Sequence, residues 1–157
     1  MVSKFEKIIV MTDLHLRKKG SLIIDLDPIK KFSNALEHAL SNHPDAKRLI
    51  ITGDLTHEGL ESEYHELRLI LRKVKIPINL MLGNHDFRSN FVSVFPDIPL
   101  DKNGFVQSSL TFKNYLMLFL DTLKDPSDNE ENHEGILCKK RLDWVKSQLD
   151  EYKKKKV

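Results

Sequence analysis

Three short runs of this chain place carboxylate, imidazole and amide side chains at the ends of apolar segments. Asp13-Leu14-His15 follows the apolar run 7–12, Gly53-Asp54 follows 48–52, and Gly83-Asn84-His85-Asp86 follows 77–82. These side chains offer oxygen and imidazole donors and no thiolate, a set that suits zinc, manganese or iron better than soft metals or iron–sulfur clusters. In an extended chain, residues two apart face the same way, so Asp13 and His15 are expected to share one side. A glycine directly before Asp54 and before Asn84 lets the backbone turn sharply or approach a ligand closely. Each run alone reads as an ordinary cap or turn. All three, in this order and each after a buried-strand pattern, point to one pocket. Two divalent ions about 3.5–4 Å apart, bridged by a carboxylate, can clamp a phosphoryl group and activate water near neutral pH.

The elements that must position these runs follow from the hydrophobic pattern. Residues 7–12 (KIIVMT) form a short β-branched run, read as a buried strand. Asp27-Pro28 opens a helix, with Asp27 as N-cap and Pro28 in the first helical position. Ile29, Phe32, Leu36, Ala39 and Leu40 recur at helical spacing, and Asn42-His43-Pro44 ends the helix. Residues 48–52 form a second strand. A second helix over 60–74 carries Leu60, Tyr64, Leu67 and Leu71 on one face, and residues 77–82 form a third strand. Alternating strands and helices predict right-handed crossovers and a mostly parallel sheet, an α/β fold whose ligands sit at the C-terminal strand ends. Beyond it, residues 105–112 alternate, Lys113-Asn114 makes a tight turn, and 115–120 reads as the second strand of a hairpin. Residues 125–134 form a polar, acidic loop. A last helix over 137–152 has Leu142, Val145, Leu149 and Tyr152 on one stripe, with Trp144 near it.

Composition bounds the function. The chain has 157 residues, 40% of them hydrophobic and 31% charged, with a net charge of +2. That is an ordinary globular composition, and the charge is too small to argue for a nucleic-acid polymer or a membrane as partner. One domain is expected over residues 1–152, followed by a basic tail, 153–157, read as solvated and frayed. Cys138 is the single cysteine, so no internal disulfide is required. Residues 1–7 show no signal-peptide pattern, and no run is apolar enough to span a bilayer. The expected location is cytoplasmic.

Asp13-Leu14-His15, Gly53-Asp54-Leu55-Thr56 and Gly83-Asn84-His85-Asp86 resemble the first three signature blocks of the calcineurin-like metallophosphoesterases. The continuation Phe87-Arg88 and the body of the chain resemble the class III cyclic nucleotide phosphodiesterase branch. The resemblance runs from Ile8 to about Leu149 and includes Leu120-Asp121-Thr122 and the helix after Gly135. It implies a four-layer α/β/β/α sandwich with a dimetal centre between two sheets. It implies hydrolysis of phosphoric esters by a metal-bound hydroxide. By position, Asp13 and His15 would bind the first metal, Asp54 would bridge both, and Asn84 would bind the second. His85 would act at the leaving oxygen, Asp86 would orient His85, and Arg88 would approach the phosphate or its ester group.

The family pattern continues with a later histidine and a Gly-His-x-His block, and this chain has neither. After Asp121 its only histidine is His133, read as a surface residue of the acidic loop. His38, His43 and His65 are read as caps and solvated positions, and His57 as lining the pocket rim. The expectation is therefore the N-terminal half of a metallophosphoesterase domain, with one divalent ion (Mn, Fe or Zn) held tightly and a second weakly. The substrate class is a small phosphate ester, cyclic nucleotides among them. The expected partner is a second copy or a missing C-terminal half. A non-catalytic metal- or phosphate-binding remnant is the alternative.

Overall fold

Short strands with β-branched centres build a three-stranded parallel sheet in the computed structural model, which describes residues 6–124 and 134–155. The chain folds as two compact units, Met1–Pro96 and Asp97–Val157. In the first unit the sheet order is β1-β2-β3, formed by Ile8–Met11, Arg48–Ile51 and Ile78–Leu80. Ile9 pairs with Leu49, Leu49 with Ile78, and Ile51 with Leu80. The crossovers are α1 (Pro28–Asn42) and α2 (Glu61–Leu71). Both step the same way across the sheet, so right-handed connections put both helices on one face. The buried set agrees: Ile9, Leu49, Ile51 and Leu80 from the strands, Phe32 and Leu36 from α1, and Tyr64, Leu67 and Leu71 from α2. The other face carries Val10, 60% exposed, and an Arg48 guanidinium that donates to Asn79 Oδ1 at 2.6 Å.

The helix ends have local causes. Asp27 caps α1 by accepting from Lys30 N, and Pro28 fits where no intrahelical donor is needed. Helix α2 has a leucine before it, which offers no side-chain acceptor. Buried Glu63 reaches back instead and accepts from Leu60 N and Glu58 N. The expected extension of α2 to Val74 does not form. Lys73 and Val74 bond to the carbonyls three residues back, the tightened last turn of a helix. A short helix, α3 (Arg88–Val94), was not legible in the sequence. At seven residues it is too short to show a period, and it is held by buried Phe91 and Val94 and by Arg68, which donates to Val94 O.

In the second unit, β4 (Ser108–Phe112) and β5 (Tyr115–Phe119) form the expected antiparallel hairpin, with Lys113 in the left-handed region at the turn. The expected strand start at residue 105 is a loop. Asp101 collects Asn103 N, Phe105 N and the Gln107 amide, and buried Asp121 accepts from Val106 N. Helix α4 (Lys139–Lys155) turns a different face inward than the sequence suggests. Arg141 is buried, and Trp144, Val145, Gln148 and Tyr152 are half-buried, whereas Leu142 and Leu149 are exposed. The polar contacts of this face decide the rotation. Arg141 donates to Ile136 O and Leu123 O and lies 4.1 Å over the Phe105 ring, Gln148 meets Ser109, and Tyr152 donates to Asn114 O. Ile136 N also donates to Thr122 O. Residues 125–133, including His133 and most of the acidic loop, lie outside the described residues. Lys153, Lys154 and Lys155 belong to α4 rather than to a frayed tail, and cations there complement the helix dipole.

Candidate metal centre

Past the ends of β1 and β2 the two chains continue side by side. Thr52 N donates to Met11 O, Asp13 N to Gly53 O, His15 N to Asp54 O, Leu16 N to Leu55 O and His57 N to Leu16 O. This extended pairing is bent at three positions. Asp13 has φ 55, His15 has φ 44 and Asp54 has φ 46, all in the left-handed region. Simple extended alternation therefore does not bring Asp13 and His15 to one side; the kinks do. Donor atoms of Asp13, His15 and Asp54 lie within 4.8 Å of one another, and His15 Nε2 is 3.8 Å from Asp54 Oδ2. Thr12 Oγ1 donates to Asp13 Oδ2 at 2.6 Å and helps fix that carboxylate.

The third loop locks onto the second through two glycines. A Cβ on Gly53 would lie 2.8 Å from Gly83 N, and one on Gly83 would overlap the Asp54 carboxylate and backbone. This close approach lets His85 N donate to Asp54 Oδ1 at 3.1 Å, leaving Oδ2 toward His15. Beneath the loop, buried Asp86 gathers five donors. Oδ2 accepts from Gly83 N and Leu55 N, and Oδ1 from Thr56 N, Thr56 Oγ1 and the Tyr64 hydroxyl. Burial pushes the Asp86 carboxyl up, against the hydrogen bonds, which favour its charged form. Burial and the adjacent Asp86 charge push the Tyr64 phenol up as well.

The main-chain carbonyl of His57 lies 2.9 Å from His85 Nδ1 and helps orient that ring. A carbonyl only accepts, so Nδ1 carries the proton. Asp86 holds the loops together. His57 also enters the site. Its ring stacks on His85 with centroids 5.4 Å apart, and His15 meets His85 edge-on at 4.6 Å. Burial holds the His57 pKa below the usual imidazole range, with the Arg17 charge acting the same way. Position after Asp54 hinted that His57 lines the rim, but not that it completes a histidine cluster. Asn84 lies exposed between Gly83 and His85, and Arg88 opens α3, so both predicted residues stand on the same loop and its outgoing helix.

The donor set fits a divalent ion. Two carboxylates and an imidazole converge, and His15 Nδ1 and His57 Nδ1 are buried without a hydrogen-bond partner among the described residues. Unpaired buried polar atoms are uncommon and call for an explanation such as an ion.

The chain belongs to the calcineurin-like phosphoesterase family, whose sequence profile matches residues 6–155. It is 40% identical over 145 residues to a probable cyclic nucleotide phosphodiesterase of Rhodopseudomonas palustris, covering 92% of this chain and 52% of the relative. It is 26% identical over 152 residues to a probable glycerophosphodiester phosphodiesterase of Arcobacter nitrofigilis (96% and 54%). It is 29% identical over 151 residues to a probable cyclic nucleotide phosphodiesterase of Rhodococcus erythropolis (90% and 46%). The chain thus spans about half the length of these relatives. Among the described residues no helix is long and apolar enough to cross a membrane.

Proposed function

We propose that this chain carries the first half of a two-metal phosphoesterase centre and acts in the hydrolysis of a small phosphoric ester. The observation that carries this reading is the convergence of Asp13, His15 and Asp54 on three left-handed backbone positions. Asp13, His15 and Asp54 hold one ion, and Asp54 with Asn84 holds a second more weakly, because two protein ligands fall short of the three usual at a catalytic site. When bound, manganese, iron or zinc supplies Lewis acidity and lowers the pKa of water. The chain's own residues do the rest. Asp54 is aimed by His85 N, and His85 Nδ1 is held by His57 O. His85 protonates or stabilises the leaving oxygen, and Arg88 steadies the phosphate or its ester group. Asp86 keeps the Asp54 and His85 loops in register. The names of the relatives favour a phosphodiester, cyclic nucleotide or glycerophosphodiester, as substrate.

A subunit that needs further protein to finish its site is the second reading. It is favoured by the span of about half its relatives and by the exposure of Val10 on the edge strand β1, on the sheet face away from α1 and α2. That face would be covered by a second copy or by a C-terminal half, since parallel strands are normally covered on both sides.

Hydrolysis of bis-(p-nitrophenyl) phosphate with added Mn²⁺ tests the leading reading. His85→Ala is expected to lower turnover by about 10²–10⁴ and to leave manganese content unchanged. Loss of manganese in that variant would move His85 into the ligand shell and overturn its assigned role.

A further inference from the structure

We infer that His57 is a metal ligand, and that His15, His57 and His85 form an all-imidazole site for copper, nickel or zinc ions, alternative to the carboxylate group with which it shares His15. One donor nitrogen from each of the three rings lies within 4.8 Å of the other two. Tetrahedral coordination at typical metal–nitrogen lengths needs nitrogens ~3.4 Å apart, so the nitrogens must close by about 1.4 Å at most, and the nearly parallel His57 and His85 rings must turn so that their in-plane lone pairs converge. Ring rotation supplies that, because His15 Nδ1 and His57 Nδ1 have no hydrogen-bond partner among the described residues.

The same two nitrogens are the reason to expect an ion rather than three packed histidines. Both are buried, and leaving them unmet costs the desolvation of each group. His85 shows the complementary half of the pattern. Its Nδ1–H donates to the His57 carbonyl at 2.9 Å. A ring nitrogen donating to a main-chain carbonyl fixes the tautomer and aims the other nitrogen, as metal-binding histidines commonly do. The Arg17 guanidinium, which acts on His57, is paired with Glu58 and lies 4.0 Å from Glu63 Oε1.

The two groups compete because a neutral imidazole has one lone pair to give. His15 serves either Asp13 and Asp54 or His57 and His85. Ligand chemistry then sorts the ions. Manganese prefers the carboxylates, and copper, nickel and zinc are suited by imidazole. The site stands or falls independently of whether the chain hydrolyses an ester, because it is read out by binding alone.

The test uses the 157-residue chain stripped of metal and loaded with one equivalent of Cu²⁺. Electron paramagnetic resonance is expected to show three coordinated imidazoles. His57→Asn should reduce this to two at most and weaken Ni²⁺ binding in calorimetry at least about tenfold. His38→Gln, on the exposed part of α1, should keep the three-imidazole signal. A single imidazole in the unsubstituted chain overturns the site, and so does unchanged Ni²⁺ affinity in His57→Asn. If His57→Asn does not fold, the spectrum of the unsubstituted chain decides alone.

Discussion

Replacing Tyr64 by phenylalanine isolates the device that holds the Asp54 and His85 loops together. The ring stays, so no cavity opens. What is lost is one hydroxyl that donates to Asp86 Oδ1 at 3.0 Å and accepts from Phe87 N at 2.8 Å. A hydrogen bond to a charged group contributes about 1.5–3 kcal/mol, and stranding a buried donor costs about 1–3 kcal/mol. The two overlap, since Phe87 is partly exposed and water can reach its N–H, so the expected loss is about 3 kcal/mol. At roughly 2–4 °C per kcal/mol for a chain of this size, Tm should fall by roughly 10 °C. The loss should also depend on pH. Burial raises the Asp86 pKa in the fold, so the charged form is penalised and stability declines as pH rises through that raised value. The Tyr64 hydroxyl favours the charged form, so its removal raises the pKa further. Tyr64→Phe should therefore cost more at pH about 7 than at pH about 4. Thermal unfolding by circular dichroism at both pH values is the assay. A Tm within about a degree of the unsubstituted chain at neutral pH would refute the claim that Asp86 and Tyr64 hold these loops.

Three further predictions bear on the site and on the second unit. Gly83→Ala should abolish Mn²⁺ binding, because its methyl would overlap Asp54, whereas Gly20→Ala, with φ +87 in open space, should cost about 1 kcal/mol and leave binding intact; calorimetry separates the two. Asp54→Asn should remove tight Mn²⁺ binding altogether, and Asn84→Ala should affect only the weak site; equal, small effects in a titration would make Asp54 a turn residue. Burial pushes Asp101 up, but hydrogen bonds from Phe105, Asn103 and Gln107 outweigh it and hold its pKa below the usual value. The stability it gives is present above its unfolded pKa and lost as pH falls through the lowered folded one, so Asp101→Asn should flatten the acid limb of a denaturant-midpoint profile.

The parts of this fold that announce themselves in sequence are those in which one local rule suffices. Asp27-Pro28 is both N-cap and first-turn proline, and α1 begins there. β-branched runs mark β1 and β2, and Lys113-Asn114 marks the hairpin turn. What stays hidden depends on tertiary partners. Helix α3 exists because Phe91 is buried and Arg68 caps its end, and neither leaves a period in seven residues. Helix α4 presents Arg141 inward, against any hydrophobic count, because the carbonyls of Leu123 and Ile136 need a donor. In the candidate site, residue types singled out Asp13, His15 and Asp54, whose donor atoms the fold brings together. The work of Asp86 and the reach of His57 depend on two loops lying against each other, which no spacing of 30 residues encodes.

The left-handed positions explain why so much structure stands under so few donors. Asp13, His15 and Asp54 each hold a conformation that costs of order 1–3 kcal/mol for a non-glycine residue, a large share of the roughly 5–15 kcal/mol that a domain has to spare. An isolated turn would relax to extended backbone and separate the three donors. Here relaxation is blocked from several sides. Asp13 and His15 are hydrogen-bonded to the Gly53–Asp54 backbone, Gly53 is pressed against Gly83, and Asp86 ties Leu55, Thr56 and Gly83 to one carboxylate. The donors are thus held near one another before any ion arrives, and binding need not pay to assemble them. Preorganisation of this kind separates a binding site from a chance cluster of acids and histidines. It also locates the fragile point away from the ligands themselves, in the Asp86–Tyr64 pair, where the loss of one hydroxyl is expected to loosen the whole arrangement.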